Sequence, residues 1–326
     1  MEDPRGFLQM HAPPVILDEV QYAPILLPYV KERIDAHRDR TGQYLLTGSQ
    51  NLLLAEKITE SLAGRAAMLR LLPLSRREAE GNPQASLPWE LGQPQGLVAN
   101  PGRDIHLWHA GYVQTYLERD VRTLRQVGNL SQFQSFLRAL AARTAQLLSL
   151  SDLARDLGVA VNTVKAWLSV LEATYQVIVL RPYHANVGKR LVKTPKAYFT
   201  DVGTLCYLTG LRDPEHAASG PMGGPIMETA VLSEVVRTLT HHGQDPQVYF
   251  WRTSTGTEVD IVVETGGRLV PIEVKLSATP RPAMASSIKA FREDLGDRAM
   301  PGYVVHPGDV RLPLGAGVTA LPLGEL

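Results

Sequence analysis

The chain has 326 residues, enough for about two domains with cores of their own at roughly 150 residues per domain. Hydrophobic residues make up 44% and charged residues 20%, which excludes a disordered or collagenous chain, and no apolar run reaches the ~18 residues that a membrane helix needs. Lys+Arg 33 balances Asp+Glu 33, which excludes a uniformly basic nucleic-acid binder, and the single cysteine, Cys206, excludes a disulfide scaffold and a cysteine zinc finger.

Pro13-Pro14 precedes Val15-Ile16-Leu17, a short apolar run of the kind that forms a parallel strand buried on both faces. A helical stretch follows to about Arg38, and Gln43 to Gly48 reads as a second such strand, so residues 13–80 suggest a strand, helix, strand crossover and a helical or irregular tail. Residues 81–104 hold four Gly and four Pro without periodicity and read as a linker. From Ile105 to Leu148 the spacing is helical: Val113, Leu117, Val121 and Leu124 mark one helix, and Phe133, Phe136, Leu137, Leu140 and Leu147 a second.

Residues 149–200 read as a winged helix-turn-helix. A helix over Asp152 to Leu157, the turn Gly158-Val159 and a helix over Asn162 to Ala173 lead into two wing strands, Gln176 to Leu180 and Lys196 to Phe199. From Pro225 the order is helix (226–241), strand (247–251), hairpin (258–264 and 268–276), helix (283–295) and strand (302–306). The fold class is therefore α/β: a parallel module, a helical and winged-helix middle, and a second α/β module over 201–326.

Three groups of residues carry candidate chemistry. Asp18 and Glu19 end the first apolar strand, where a nucleotide-hydrolysing site needs one acid for magnesium and one to polarise water. Ser49 and Asn51, after the second strand, stand where a sensor side chain would touch phosphate, and Arg65 is a candidate charge-stabilising arginine. On the second helix of the helix-turn-helix, Asn162, Thr163 and Lys165 face outward toward bases or phosphates, with Arg181, Lys189, Arg190, Lys193 and Lys196 available for the nucleic-acid backbone. In the hairpin, period two sets Val259, Ile261 and Val263 on one face and Asp260 on the other, with Glu273 and Lys275 together on the neighbouring strand. Two acids and a lysine there can bind Mg²⁺ and stabilise a pentavalent phosphate. The preceding helix offers Glu228, on the apolar stripe with Val231, Leu232 and Val235, and Glu234, on the polar side; an acid on an apolar stripe needs a partner, so Glu228 is the third candidate ligand. His184, His241 and His242 lack metal-site spacing, and Cys206, between Leu205 and Tyr207, reads as buried.

The segments Asp3-Pro4-Arg5-Gly6-Phe7-Leu8, Leu17-Asp18-Glu19-Val20-Gln21, Leu46-Thr47-Gly48-Ser49-Gln50-Asn51, Ser61-Leu62-Ala63-Gly64-Arg65 and Tyr116-Leu117-Glu118-Arg119-Asp120-Val121 resemble the prokaryotic AAA+-type ATP-binding proteins that carry a C-terminal domain of unknown function. The likeness continues through Gly188-Lys189-Arg190-Leu191-Val192-Lys193, Phe250-Trp251-Arg252 and Pro271-Ile272-Glu273-Val274-Lys275. It implies ATP as a ligand, with Asp18 and Glu19 as the magnesium and water acids. A phosphate-cradling Gly-x4-Gly-Lys-Ser/Thr loop should precede the Asp18 strand, yet the only Gly-Lys pair, Gly188-Lys189, lies downstream and is followed by Arg190. Either that loop lies upstream of Met1 or the ATPase module is degenerate. The C-terminal pattern resembles the PD-(D/E)XK nuclease core, a restriction-endonuclease-like fold, which implies Glu228, Asp260 and Glu273 as metal ligands and Lys275 as the catalytic lysine. The reading that follows is an ATP-binding protein with a DNA-engaging, Mg²⁺-dependent nuclease-like domain; the rival is a non-enzymatic scaffold keeping these folds without turnover.

The neutral total conceals an uneven distribution, since residues 105–200 sum to +7 and 201–326 to −5. A basic middle and an acidic C-terminal segment are expected of one DNA-facing module beside one metal site. The start, Met1-Glu2-Asp3-Pro4, lacks the basic and then apolar pattern of a signal peptide, so a cytoplasmic, non-membrane protein is expected, with a homo-oligomer left open.

Overall fold

The computed structural model describes residues 3–48, 61–76, 78, 102–117, 130–183, 193–212 and 214–326, and it divides into two units, residues 1–69 and 70–326. In the first, the Asp3 carboxylate accepts the Gly6 N–H at 2.9 Å and starts α1 (Pro4–Met10). The apolar run forms β1 (Val15–Leu17), α2 (Leu26–Ala36) follows, and β2 (Tyr44–Leu46) returns parallel to β1 with Ile16 opposite Leu45. This is the expected crossover unit. Leu8, Leu17, Val20, Leu26, Leu27, Val30 and Leu62 form its core. Ile16 and Leu45 point the other way and are 65% and 54% exposed, so burial on both strand faces holds for one face alone among the described residues.

The second unit begins with α3 (Ile105–Tyr112), capped by Asp104, and α4 (Leu130–Ala141), which buries Phe133, Phe136, Leu137 and Leu140 as their spacing requires. Val121 and Leu124 lie outside the described residues. Ser149 caps α5 (Leu150–Leu157), which starts two residues before the expected Asp152, Gly158 turns the chain at φ 64°, and α6 (Val161–Ala173) follows. Leu153, Ala154, Val164, Trp167, Leu168 and Leu171 share one core with α4. The remaining elements are β3 (Val177–Pro182), β4 (Lys196–Phe199), α7 (Val202–Thr209), α8 (Pro214–Ser219), α9 (Gly223–His241), β5 (Val248–Arg252), β6 (Glu258–Thr265), β7 (Arg268–Val274), α10 (Ser286–Leu295), β8 (Gly302–His306), β9 (Leu312–Gly315) and β10 (Val318–Pro322).

Eight strands form one mixed sheet in the order β4-β3-β5-β6-β7-β8-β10-β9. β3 and β4 pair antiparallel, as expected of a wing, but β3 also pairs parallel to β5 through Arg181 with Tyr249 and Pro182 with Phe250. The sheet therefore crosses the boundary expected between residues 200 and 201. Both sheet faces are covered. Ile226, Met227, Val231, Ile261, Ile272 and Val274 belong to the core shared with α4 to α6, whereas Val259, Val262 and Leu269 pack with Ile288 and Phe291 of α10 on a second core.

One irregularity aims the site. Tyr249 faces Val262 while Trp251 faces Val259, so two residues of β6, Asp260 and Ile261, stand opposite Phe250. Plain alternation put Val259 and Ile261 on one face; the bulge sends them to different cores.

Phe136 is fully buried, with ring centroids 5.9 Å from Phe133 and 5.3 Å from Trp167. Phe136→Ala should therefore cost about 3–5 kcal/mol, read as a lower urea midpoint at unchanged slope. Leu107→Ala, at a position 71% exposed, should change the unfolding free energy by no more than about 0.5 kcal/mol and leave the midpoint nearly unmoved.

Candidate functional site

Glu228 projects from α9, Glu258 opens β6, and Asp260 sits at the bulge two residues later. One carboxylate oxygen from each lies within 4.8 Å of the others. Each acid also has a protein donor. Lys196 Nζ stands 3.0 Å from Glu228 Oε1 and pairs with Glu258 Oε1, the Tyr198 hydroxyl donates to Glu228, Arg252 Nη1 donates to Glu258 Oε2 at 2.6 Å, and the Val274 N–H donates to Asp260 Oδ2 at 2.8 Å. Beside them, one residue past the end of β7, Lys275 Nζ lies 2.5 Å from Oε1 of Glu273 on that strand.

Burial, with the Asp260 charge behind it, pushes the Glu228 carboxyl up to about 7 and that of Glu273 up to about 8. Burial also raises Asp260. For Lys196, burial works against the charged form, but Glu228 and Glu258 outweigh it and hold the ammonium above its ordinary value. Lys275 behaves alike, through Glu273. The Tyr198 phenol lies well above its usual range because it is buried beside the Glu228 carboxylate.

Of the expected ligands, Glu228 and Asp260 fall within the three-acid group and its third member is Glu258, not Glu273. Ile272 and Val274 belong to the core shared with α9, so Glu273 and Lys275 occupy the opposite side of β7. Glu234, expected on the polar side of its helix, is 2% exposed and accepts the Arg76 N–H at 3.0 Å; the α9 surface around it is covered, not solvated. Lys196, expected to hold a nucleic-acid backbone, is 3% exposed and committed to Glu228 and Glu258. The strand Lys196-Ala197-Tyr198-Phe199 is buried at every position, and a lysine in such a strand requires a counter-charge.

In the first unit, Asp18 is exposed at the carboxyl tip of β1 and accepts a hydrogen bond from the Thr47 hydroxyl, while the Thr47 N–H donates to Leu17 O at 3.0 Å. Glu19 has a left-handed backbone at φ 49° and accepts from the Gln21 amide. Arg65 does not present a free guanidinium: Nε and Nη2 donate to the two Asp35 oxygens at 2.7 and 3.0 Å, which holds the Asp35 carboxyl below its usual range. Ser49 and Asn51 lie outside the described residues. On α6, Asn162 and Lys165 are exposed and Thr163 half-buried; Lys193 is exposed, and Lys189, Arg190 and His184 lie outside the described residues. Cys206 is buried, which pushes its thiol up to about 12.

The family described as an AAA domain matches residues 2–80, and two domains of unknown function match residues 97–215 and 223–326. Over 315 residues the chain is 32% identical to an uncharacterized protein of Mycobacterium tuberculosis, covering 96% of this chain and 69% of that protein. The chain belongs to this protein's family. An uncharacterized protein of Mycobacterium bovis matches to the same extent, and no solved structure matches. The family architecture is thus AAA-type and ATPase-like at the N-terminal end, followed by two segments of unknown function. The acid cluster spans both segments, with Lys196 and Tyr198 from the first and Glu228, Glu258 and Asp260 from the second. No helix among the described residues is long and apolar enough to cross a membrane.

The raised Glu273 value has a direction in pH. Between the ordinary 4.5 and about 8, the folded chain keeps a proton that the unfolded chain has shed, so stability falls as pH rises through that interval. Urea midpoints measured from about pH 5 to 8 should decline, and Glu273→Gln should flatten the decline.

Proposed function

We propose that this AAA-type protein carries a Mg²⁺-dependent, nuclease-like C-terminal domain that acts on DNA, with the helix-turn-helix and its β3–β4 wing engaging the duplex and the AAA module binding ATP to regulate or position it. The observation that carries this reading is the group Glu228, Glu258 and Asp260, with one oxygen of each within 4.8 Å of the others and the Glu273–Lys275 pair on the adjoining strand. The donor set suits the ion. Oxygen ligands at ~2.1 Å from Mg²⁺ lie up to ~4.2 Å apart across it, so a small contraction closes the group, and carboxylates are the hard ligands this cation prefers. When bound, the ion would polarise a phosphodiester oxygen and acidify a water. Lys275, kept protonated by Glu273, would neutralise charge developing on the phosphate or orient the attacking water.

ATP binding is supported by the AAA match over residues 2–80 and by the Asp18–Thr47 pair joining the tips of two parallel strands. DNA engagement is supported by the exposed Asn162 and Lys165 on α6 and by the +7 charge of residues 105–200. A second reading, a scaffold without turnover, is favoured by one observation: Lys196 and Arg252 already neutralise much of the acid cluster.

Purified chain with Mg²⁺ or Mn²⁺ should nick supercoiled plasmid, and Asp260→Ala and Lys275→Ala should each abolish nicking; absence of cleavage with either ion leaves the scaffold. Duplex affinity should fall steeply with salt, and Lys165→Ala with Lys193→Ala should lower the salt slope by about 2. If the salt slope is unchanged, those lysines do not touch phosphate. ATP binding is tested by calorimetric titration, in which a featureless isotherm removes the nucleotide from the proposal.

A further inference from the structure

Lys196 is one of only eight lysines in the chain and is 3% exposed. Its ammonium lies against Glu228 and Glu258 and within the field of Asp260, the three acids whose oxygens lie within 4.8 Å of one another. The strand that supplies it is β4, at one end of the eight-stranded sheet and part of the hairpin after α6. The acids come from α9 and β6. One cation, with the Tyr198 hydroxyl beside it, therefore joins the hairpin to the acid cluster.

We propose that the Lys196 ammonium is the resident cation of this cluster, and that a divalent ion enters by displacing it, so that metal loading releases the Lys196 side chain from Glu228 and Glu258. The inference rests on the metal-site reading above and adds its regulation. Charge counting supports it. The three acids carry −3 when ionised, and Arg252 on Glu258 reduces this to −2, the complement of one divalent ion. With Lys196 in place the remainder is −1, and an ammonium and a divalent ion held by the same carboxylates within a few ångströms would repel each other strongly in a buried setting. The two cations are alternatives. The lysine stem can supply the exchange, because its ammonium rides on a flexible four-carbon chain that can swing outward, giving up its contact over the Phe250 ring, while the strand backbone stays paired with β3. The other cations named at the site, Arg252 and Lys275, are held by Glu258 and Glu273 and remain.

Calorimetric titration of the 326-residue chain with Mn²⁺ tests this directly. Lys196→Met should bind Mn²⁺ at least about tenfold more tightly than the parent, and Lys196→Arg, which keeps the charge, should stay close to the parent. Equal affinity in parent and Lys196→Met overturns the exchange while leaving the metal site standing. No Mn²⁺ binding in either protein overturns the metal site and the exchange with it. A measurement on the unaltered chain covers the case in which Lys196→Met fails to fold: reductive methylation read by mass spectrometry. Saturating Mn²⁺ should raise labelling of Lys196 severalfold relative to Lys31 and Lys289, and unchanged protection of Lys196 under Mn²⁺ overturns the displacement.

Discussion

A lysine buried between two glutamates is the interaction on which the second unit turns. Taking an ammonium and carboxylates out of water is expensive, and leaving any one of them without its partners costs about 3–5 kcal/mol. Lys196 on β4, Glu228 on α9 and Glu258 on β6 must therefore be brought together whenever the unit folds. Tyr198, two residues along the same strand, adds its hydroxyl to Glu228 and fixes the face that β4 presents. Through these contacts an edge strand and a helix become parts of one acid-rich site.

The sheet supplies the complementary constraint. β3 lies between β4 and β5 and hands the hairpin after α6 directly to the C-terminal strands. The bulge opposite Phe250 then breaks the two-residue alternation at Asp260, while the Val274 N–H holds that carboxylate across the neighbouring strand. Irregular pairing is what separates Val259 from Ile261 and lets one strand serve two cores and a polar site.

Much of the fold was legible from periodicity. The Phe133, Phe136, Leu137, Leu140 stripe, the Gly158 turn and the parallel pair β1 and β2 follow from local pattern and punctuation. β9 and β10 were not, because Pro313, Gly315 and Gly317 interrupt the segment; β9 tolerates Pro313 because it is the outer edge of the sheet. Within the site, Glu228 and Asp260 were readable from an apolar helix stripe and a hairpin. Glu258 alternates with Val259 as Asp260 does, so the hairpin pattern offers it too; what local pattern does not carry is its meeting with Glu228 of α9 and Lys196 of β4. Lys196 reads from the sequence as a cation for the nucleic-acid backbone because its counter-charges lie 32 and 62 residues away, beyond any local pattern.

The shared sheet bears on how such proteins can diversify. Recombination exchanges segments most easily when each carries its own network of paired charges. Here the cation belongs to the segment 97–215 and its carboxylates to the segment 223–326. A transplanted hairpin without a lysine at its fourth strand, or a transplanted C-terminal half without the glutamates, would arrive with orphaned charge. The two segments are expected to travel through evolution as a pair, changing together at these positions even where the rest of their surfaces drift apart.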